Sequence, residues 1–225
     1  MTKLKICGLR DVDNAVVAAE SGADFLGFVF VPGARRQLSI DQAESIIFDY
    51  RRRCGEGGPQ LVGLFADQLP DEVSRIVGSC GLDMAQLCGS EPIEYWREMS
   101  VPIFKQIKVR DGRPTEQAVA EALRLVDGVV SEGHLATLDK YETGSKGGGT
   151  GKTFDWRIAT EVARIHDFLL AGGLNPHNVG QAIDLASPWG VDVSSGIETN
   201  GVKDPEKIVA FADAVRRADR LVEPT

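Results

Sequence analysis

The stretch that decides the fold is residues 168–196, FLLAGGLNPHNVGQAIDLASPWGVDVSSG. Two short apolar runs, residues 168–171 and 190–193, each lead into a Gly- or Ser-rich segment, and a helical pattern follows each segment. Exposed backbone N–H groups in such loops, together with nearby helix N-termini, bind the oxygens of an anion without requiring a Lys or Arg. The stretch therefore predicts alternating strands and helices with a binding edge for a small phosphorylated molecule.

The same alternation runs along the whole chain. Eight short β-rich runs are predicted, near residues 4–7, 25–30, 61–65, 84–87, 103–109, 135–138, 168–171 and 191–193. Helical patterns follow them, from about residue 12, at 40–51, 70–77, 92–99 and 115–126, and from about 154, 176 and 205. Runs that are apolar throughout are typical of parallel strands covered on both faces. The pattern favours one α/β domain over residues 1–225, a single (β/α)₈ TIM barrel, with a doubly wound sheet as the alternative.

Several helix starts carry residues that are typical of N-caps. Ser39 and Asp41 precede or open the second helical pattern, Asn175 stands before Pro176, and Asp204 stands before Pro205. A short polar side chain at the N-cap accepts a backbone N–H, and proline fits the first helical turn. These residues are therefore predicted to start three of the helices.

The composition excludes several classes of partner. The chain has 225 residues with a formal net charge of −8, and its pI is near 5.0. The one tight basic run, residues 51–53, is interpreted as the last turn of a helix, where cations suit the helix dipole. We therefore expect no nucleic-acid and no membrane partner. The sequence shows no secretory or membrane-spanning apolar segment, which predicts a soluble, cytoplasmic protein.

The four cysteines are predicted to be reduced thiols, because their spacing matches neither a metal site nor a disulfide framework. Cys54, Cys80 and Cys88 are interpreted as small buried hydrophobic residues. Cys7 differs because it ends the first predicted strand, and the carboxyl ends of barrel strands carry the active site. A thiol there can act as a base or nucleophile when a nearby charge or dipole favours the thiolate.

Two further strand-end residues are candidates for a site. Arg36 follows the second predicted strand; it belongs either to a solvated loop or to a fork that holds a carboxylate in a bidentate manner. Asp139 ends the sixth predicted strand; it is either a general acid or an N-cap or ion-pair partner. The residue types alone leave both alternatives open.

At this point the motifs carry a resemblance that covers nearly the whole chain in the right order. They are KICG at residues 5–8, GFVFVP at 27–32 with Arg36, QL at 86–87, GGTGKTFDW at 148–156, GGLNP at 172–176 and DVSSGIE at 192–198. Together they resemble the phosphoribosylanthranilate isomerase family, barrel enzymes of tryptophan biosynthesis. Each motif alone is weak, but six in register are specific.

The resemblance implies an Amadori rearrangement of N-(5′-phosphoribosyl)anthranilate to 1-(o-carboxyphenylamino)-1-deoxyribulose 5-phosphate. It implies Cys7 as general base, Asp139 as general acid and Arg36 as the ligand of the anthranilate carboxylate. The remaining implied residues bind phosphate (Gly172, Gly173, Ser194, Ser195 and Gly196) or line the substrate pocket (Asp192 and Gln86). Formation of an iminium acidifies C2, so that a thiolate suffices as base and no metal or organic cofactor is required.

Some alternatives remain open at the level of the sequence. Residues 129–132, VVSE, also resemble a strand that ends in an acid, which makes Glu132 a second candidate for the general acid. His134, Asp139 and Glu142 are weighed as a metal site, but their spacing matches no standard motif. Cys88 and Ala34 stand where many relatives have His and Ser, which bears on substrate affinity.

Two other functions compete with the isomerase. One is a sibling aldose isomerase of histidine biosynthesis, which would need Asp in place of Cys7. The other is a barrel that binds a phosphorylated ligand without catalysis, which should keep its affinity after Cys7→Ser. The expected oligomeric state is a monomer or a homodimer.

Overall fold

Eight parallel strands, each followed by a helix, close into a barrel in the computed structural model, which describes residues 1–55, 57–110, 113–141 and 153–222. The strands are β1 (Lys3–Cys7), β2 (Phe25–Val29), β3 (Gln60–Phe65), β4 (Met84–Leu87), β5 (Ile103–Val109), β6 (Leu135–Lys140), β7 (Phe168–Leu170) and β8 (Gly190–Val193). Each strand pairs with the next, and β8 pairs with β1. The predicted TIM barrel is confirmed, and the doubly wound sheet is wrong.

Helices follow the strands and cover the outside of the barrel. They are α1 (Val12–Glu20), α2 (Ile40–Cys54), α3 (Pro70–Cys80), α4 (Ile93–Trp96), α5 (Thr115–Ser131), α6 (Trp156–Ala163), α7 (Val179–Ala186) and α8 (Pro205–Val222). A 3₁₀ turn at Ser195–Ile197 and an antiparallel ribbon of β9 (Glu198–Thr199) and β10 (Val202–Lys203) lie between β8 and α8. The sequence reading did not predict this ribbon.

Two of the predicted helix starts are confirmed. Ser39 is the N-cap of α2 and forms a capping box with Gln42, while the side chain of Asp204 accepts from the backbone N–H groups of Glu206 and Lys207. Each bond satisfies a backbone donor that has no partner inside the helix. The basic run at residues 51–53 lies in the last turn of α2, as predicted.

The predicted N-cap at Asn175 is wrong. The helix begins at Val179, and Asn175 instead accepts from the backbone N–H of His177 while its own N–H donates to Asn178. These side-chain bonds fold the segment into a turn and so delay the helix. Helix α4 is likewise shorter than the predicted 92–99.

Aromatic and aliphatic side chains fill the interior of the barrel. Phe25 and Phe104, from β2 and β5, meet edge to face with their ring centroids 5.2 Å apart. A larger apolar cluster lies between the strands and the surrounding helices. The interior is therefore a packed core, and a site for a ligand is expected at the carboxyl-end mouth of the barrel.

None of the helices in the described ranges is both long enough and apolar enough to cross a membrane. The four cysteines are free thiols, and Cys7, Cys80 and Cys88 are buried. Cys54 is exposed at the end of α2, so its interpretation as a buried hydrophobic residue is wrong.

Candidate active site

One cavity lies at the carboxyl ends of the strands, and most of the predicted site residues line it. The predicted residues in its wall are Cys7, Arg36, Gln86, Asp139, Gly172, Gly173, Asp192, Ser194 and Ser195. Gly196 does not line the cavity but directly follows Ser195. Residues from six strands or the loops after them thus meet at one point, although they are far apart in the sequence. The predicted glycine loop at 148–151 lies outside the described residues.

Cys7 lies above a buried ion pair. The Nζ of Lys5, which is fully buried, lies 3.0 Å from Oδ2 of Asp192 on the neighbouring strand β8. Burial raises the pKa of the Cys7 thiol, and the positive charge of Lys5 opposes that rise. For Lys5, burial alone would lower the pKa, but the charge of Asp192 raises it above its ordinary value. Lys5 therefore stays charged and favours the thiolate form of Cys7.

Asp139 lies next to the last residue of β6 and its carboxyl is buried. Gln106 Nε2 donates to Oδ2 at 2.7 Å, and the backbone N–H of Lys140 donates to Oδ1 at 2.8 Å. Burial and then the charge of Asp192 raise the pKa of Asp139 to about 6. A carboxyl with this pKa keeps a protonated fraction near neutral pH, which a general acid requires.

Glu132 does not end a strand, so the reading of residues 129–132 as a strand is wrong. Glu132 caps the C-terminus of α5 and forms two hydrogen bonds with the guanidinium of Arg97, at 2.8 and 2.6 Å. That end of the helix precedes β6, whereas Asp139 lies near the carboxyl end of the strand. Glu132 is absent from the lining of the cavity.

Arg36 lines the cavity and forms a salt bridge with a carboxylate. Its Nε donates to Oε1 of Glu198 at 2.6 Å, and the same carboxylate accepts from Arg35 and Lys203. Burial alone would raise the pKa of Glu198, but the hydrogen bond from Arg36 and the charge of Lys203 lower it to about 2. Glu198 is therefore an anion, and Arg36 belongs to an ordered cluster rather than a solvated loop.

The loops after β7 and β8 lie against each other at the edge of the cavity. A Cβ atom built on Gly196 would lie 1.8 Å from the carbonyl oxygen of Leu174. Gly172 and Gly173 both have positive φ, of 87° and 68°. The two loops thus bring their backbones close to one another at the edge of the cavity.

Four buried polar atoms in the wall of the cavity have no hydrogen-bond partner among the described residues. They are Oε1 of Gln86, Oε1 of Gln106, Oδ1 of Asp192 and Nη2 of Arg36. Buried polar atoms are nearly always paired, so these atoms are available to the polar groups of a ligand. Three of them are acceptors and one is a donor on a cation.

Sequence reasoning assigned no role to four residues of this site, namely Lys5, Gln106, Glu198 and Lys203. Lys5 and Gln106 had a weak signal, since each is a polar side chain within a predicted strand, although Lys3 in β1 and Lys105 and Lys108 in β5 share it. Glu198 and Lys203 had none, because only the ribbon of β9 and β10 brings them to Arg36.

The two departures from the family pattern also lie near the site. Cys88 is buried, with its Sγ 3.7 Å from Nε2 of Gln86, and Ala34 lines the cavity. His134 and Asp139 lie at opposite ends of β6, so they do not form a common metal site; Glu142 lies outside the described residues. Within the described ranges, no group of three or more His, Cys, Asp or Glu is arranged to hold a metal ion.

The fold and the site together define a class. A closed (β/α)₈ barrel whose strand-end cavity is lined by a buried thiol, a carboxyl of raised pKa and glycine- and serine-rich loops is typical of enzymes that act on small polar substrates. Comparisons with known proteins identify the family.

A family model described as N-(5′-phosphoribosyl)anthranilate (PRA) isomerase matches residues 4–214. An N-(5′-phosphoribosyl)anthranilate isomerase of Dehalococcoides mccartyi is 39% identical, and the match covers 97% of this chain and 98% of the relative. The phosphoribosyl anthranilate isomerase of Thermotoga maritima superimposes with a TM-score of 0.80 at 33% identity, over 96% of this chain and 100% of the other. A second solved structure has a TM-score of 0.77 at 31% identity over the same shares, and that isomerase is in complex with reduced 1-(o-carboxyphenylamino)-1-deoxyribulose 5-phosphate. The chain belongs to the phosphoribosylanthranilate isomerase family and is an isomerase of tryptophan biosynthesis.

Proposed function

We propose that Asp139 and Cys7 divide the proton transfers of the family's reaction on N-(5′-phosphoribosyl)anthranilate. The observation that carries the proposal is that a buried carboxyl with a raised pKa and a buried thiol line one cavity together. Enzymes separate acid and base roles by giving two titratable groups different environments, as here.

In the first step Asp139 donates its proton to the ring oxygen of the ribose. The bond between C1′ and that oxygen breaks, and the nitrogen lone pair forms a C1′=N iminium. The cation that results acidifies the proton on C2′. It also lies beside Cys7, so it favours the thiolate, as Lys5 does.

In the second step the Cys7 thiolate takes the proton from C2′, and the electron pair of that C–H bond forms the C1′=C2′ bond of an enolamine. The 2′-hydroxyl then loses its proton while C1′ gains one, which yields the ketone. C2′ is oxidised and C1′ is reduced within the same molecule, so the sequence balances without an external oxidant or reductant.

Binding is assigned to the rest of the cavity. The phosphate would lie on the loops that contain Gly172, Gly173, Ser194, Ser195 and Gly196, where touching backbone segments offer N–H donors. The anthranilate carboxylate would meet Arg36, and Asp192 would accept from the substrate nitrogen through its unpartnered Oδ1. Gln86 would accept from a hydroxyl of the sugar through its unpartnered Oε1.

The decisive experiment follows the decay of phosphoribosylanthranilate fluorescence, with the substrate generated in situ. We expect rapid decay with wild type and with Glu132→Gln, and a loss of several orders of magnitude with Asp139→Asn and with Cys7→Ala. Glu132→Gln is the matched control because it also neutralises one carboxylate near β6. No decay with folded wild type would reject the activity, and wild-type rates with Asp139→Asn or Cys7→Ala would reject that residue's role.

We also propose that residues 1–225 form a single domain. The oligomeric state, a monomer or a homodimer, and the cytoplasmic location stay predictions. Sedimentation of the purified chain at several concentrations tests the oligomeric state.

A further inference from the structure

Glu198 is a buried carboxylate that three cations surround. Its Oε1 accepts from Arg36 Nε at 2.6 Å and from Lys203 Nζ at 3.1 Å, and its Oε2 accepts from Arg35 Nη2 at 2.5 Å. Only 5% of its side chain is exposed. We name these four residues the Glu198 cluster. Three positive charges against one negative charge leave the cluster with an excess of two positive charges beside the cavity.

The cluster uses only one side of the Arg36 guanidinium. Glu198 takes Nε, whereas Nη2 is buried without a hydrogen-bond partner among the described residues. A guanidinium is a planar fork of five donors, so a bond to Nε fixes the plane in which the Nη donors point. Because Arg36 also lines the cavity, those donors are set for an acceptor on the ligand.

The absence of a side chain at Gly8 leaves room for the side chain of Arg36. Gly8 has φ of +77°, and a Cβ built there would lie 2.4 Å from Arg36 Cδ. The side chain of Arg36 thus lies directly on the backbone after β1, next to Cys7. Any other residue at position 8 would displace the arginine and strain the backbone.

Lys203 connects the cluster to the loop after β8. Its Nζ donates to the carbonyl oxygen of Ser194 at 2.7 Å, and the hydroxyl of Ser194 donates to the carbonyl oxygen of Cys7 at 3.1 Å. Glu198 and Lys203 face each other across the ribbon of β9 and β10. The ribbon therefore supports the Arg36 side of the cavity and the serine loop at the same time.

We infer that Glu198 is a positioning residue for substrate selection: it holds Arg36 by Nε so that the Nη side of the guanidinium meets an aryl carboxylate. This inference rests on the proposed role of Arg36 in binding that carboxylate. It adds the reason why the arginine selects a carboxylate: the charge and direction of the fork are set before the substrate enters. Preorganised donors lose less freedom on binding and so discriminate more strongly.

The test compares two inhibitors that differ in one group, reduced 1-(o-carboxyphenylamino)-1-deoxyribulose 5-phosphate and the same molecule without its carboxylate. The ratio of their dissociation constants measures carboxylate recognition alone, since both carry the phosphate. We expect wild type to prefer the carboxylate by about 100-fold or more. In Glu198→Gln we expect the preference to fall to about tenfold or less, with KM raised and kcat changed less than about threefold.

Two further variants keep the test decisive. Glu132→Gln is the control, since it neutralises a surface carboxylate that also binds an arginine, and it should keep the wild-type ratio. Glu198→Asp retains the charge but shortens the reach to Arg36 Nε, and we expect an intermediate ratio even if Glu198→Gln fails to fold.

An equal loss of affinity for both inhibitors in the folded Glu198 variants would overturn the inference, because a merely structural carboxylate would weaken the whole cavity. Arg36→Ala separates this failure from that of the proposed function. If Arg36→Ala keeps the wild-type ratio, the carboxylate lies elsewhere and the proposed role of Arg36 fails. If Arg36→Ala abolishes the preference while the Glu198 variants keep it, only the role of Glu198 fails.

Discussion

Lys5 and Asp192 face each other where the barrel closes, with Nζ and Oδ2 3.0 Å apart and the lysine fully buried. They are also register partners across β1 and β8. A single ion pair therefore joins the first and last strands directly beneath the thiol that we propose as base. The pair also matters for the chemistry of the site. The lysine that pairs with Asp192 lowers the pKa of Cys7 and the pKa of Asp139.

Removing the positive charge should move the whole pH profile. Lys5 lowers the pKa of both Cys7 and Asp139, so Lys5→Met should shift both limbs of the kcat/KM profile to higher pH. The variant should also lose about 3–5 kcal/mol of unfolding free energy, because Asp192 is left as a buried unpaired charge. Steady-state rates from pH 5 to pH 10 and urea unfolding measure the two effects.

The matched control is Lys105→Met. Lys105 is also a buried lysine, paired with Glu91 at 2.6 Å, but it lies on β5 and lines a different cavity. Lys105→Met should lower the unfolding free energy by a comparable amount and leave both limbs of the kcat/KM profile at their wild-type pH. Equal shifts in both variants would mean that the profile reports stability rather than the charge of Lys5.

The pH dependence of the wild-type enzyme should show a broad plateau. Burial raises the pKa of Cys7, while the pKa of Asp139 is about 6. The active form needs the thiolate and the protonated carboxyl together. As pH rises above 6 the protonated carboxyl becomes rarer at the same rate as the thiolate becomes commoner, so their product stays constant.

We therefore expect kcat/KM to rise up to about pH 6, to stay level, and to fall only above the ordinary range of a thiol. Initial rates at substrate concentrations well below KM measure this profile. A decline between pH 6 and pH 8 would contradict the assignment, since it would place the pKa of the thiol below that of the carboxyl.

At neutral pH, the ionised carboxylate of Asp139 should lower the free energy of unfolding of the protein. Its pKa in the folded state, about 6, lies above its ordinary value of 3.8. The stabilising contribution is therefore complete below about pH 4 and is lost as pH rises through 6, a total of roughly 3 kcal/mol. Asp139→Asn should escape this loss, so its stability relative to wild type should increase by about 2 kcal/mol between pH 4 and pH 8.

Urea unfolding of both proteins at the two pH values checks this prediction. Glu132→Gln should not gain stability relative to wild type between pH 4 and pH 8, because the hydrogen bond from Arg97 lowers the pKa of Glu132, so the loss of that carboxylate acts in the opposite direction. A constant difference between Asp139→Asn and wild type would show that the carboxyl titrates normally in the folded chain.

The contact between the loops after β7 and β8 should be needed for phosphate binding. A methyl group at Gly196 would collide with the carbonyl oxygen of Leu174, so Gly196→Ala must push the two loops apart. We expect phosphate to inhibit the variant at least about tenfold less strongly, and stability to fall by about 1–3 kcal/mol. Inhibition by inorganic phosphate and thermal unfolding measure both effects.

Gly180→Ala is the control for that prediction. Gly180 lies in α7, and a Cβ there meets nothing within 4 Å. The substitution should stabilise the helix by about 0.5–1 kcal/mol and leave phosphate inhibition unchanged. Equal losses of inhibition in the two variants would show that the loop contact is not what binds the anion.

The sequence by itself determined the fold, because the pattern of eight apolar runs and helices has few other solutions. It also placed Cys7, Arg36 and Asp139 near strand ends, which in a barrel face one mouth. Two local predictions were wrong because the residue types fit more than one local structure: Asn175 forms a turn with His177 and Asn178 instead of capping a helix, and residues 129–132 form the end of α5 instead of a strand.

Only the tertiary structure decided how the site is supported. Lys5 meets Asp192 because the barrel closes, and Gln106 meets Asp139 because β5 pairs with β6. Glu198 reaches Arg36 only because a two-stranded ribbon turns the chain back over the cavity. Such contacts join residues up to 187 positions apart. The order of residues along the chain does not give the distances between these side chains. The charges that shift the pKa values of Cys7 and Asp139 are therefore known only once the strands are paired.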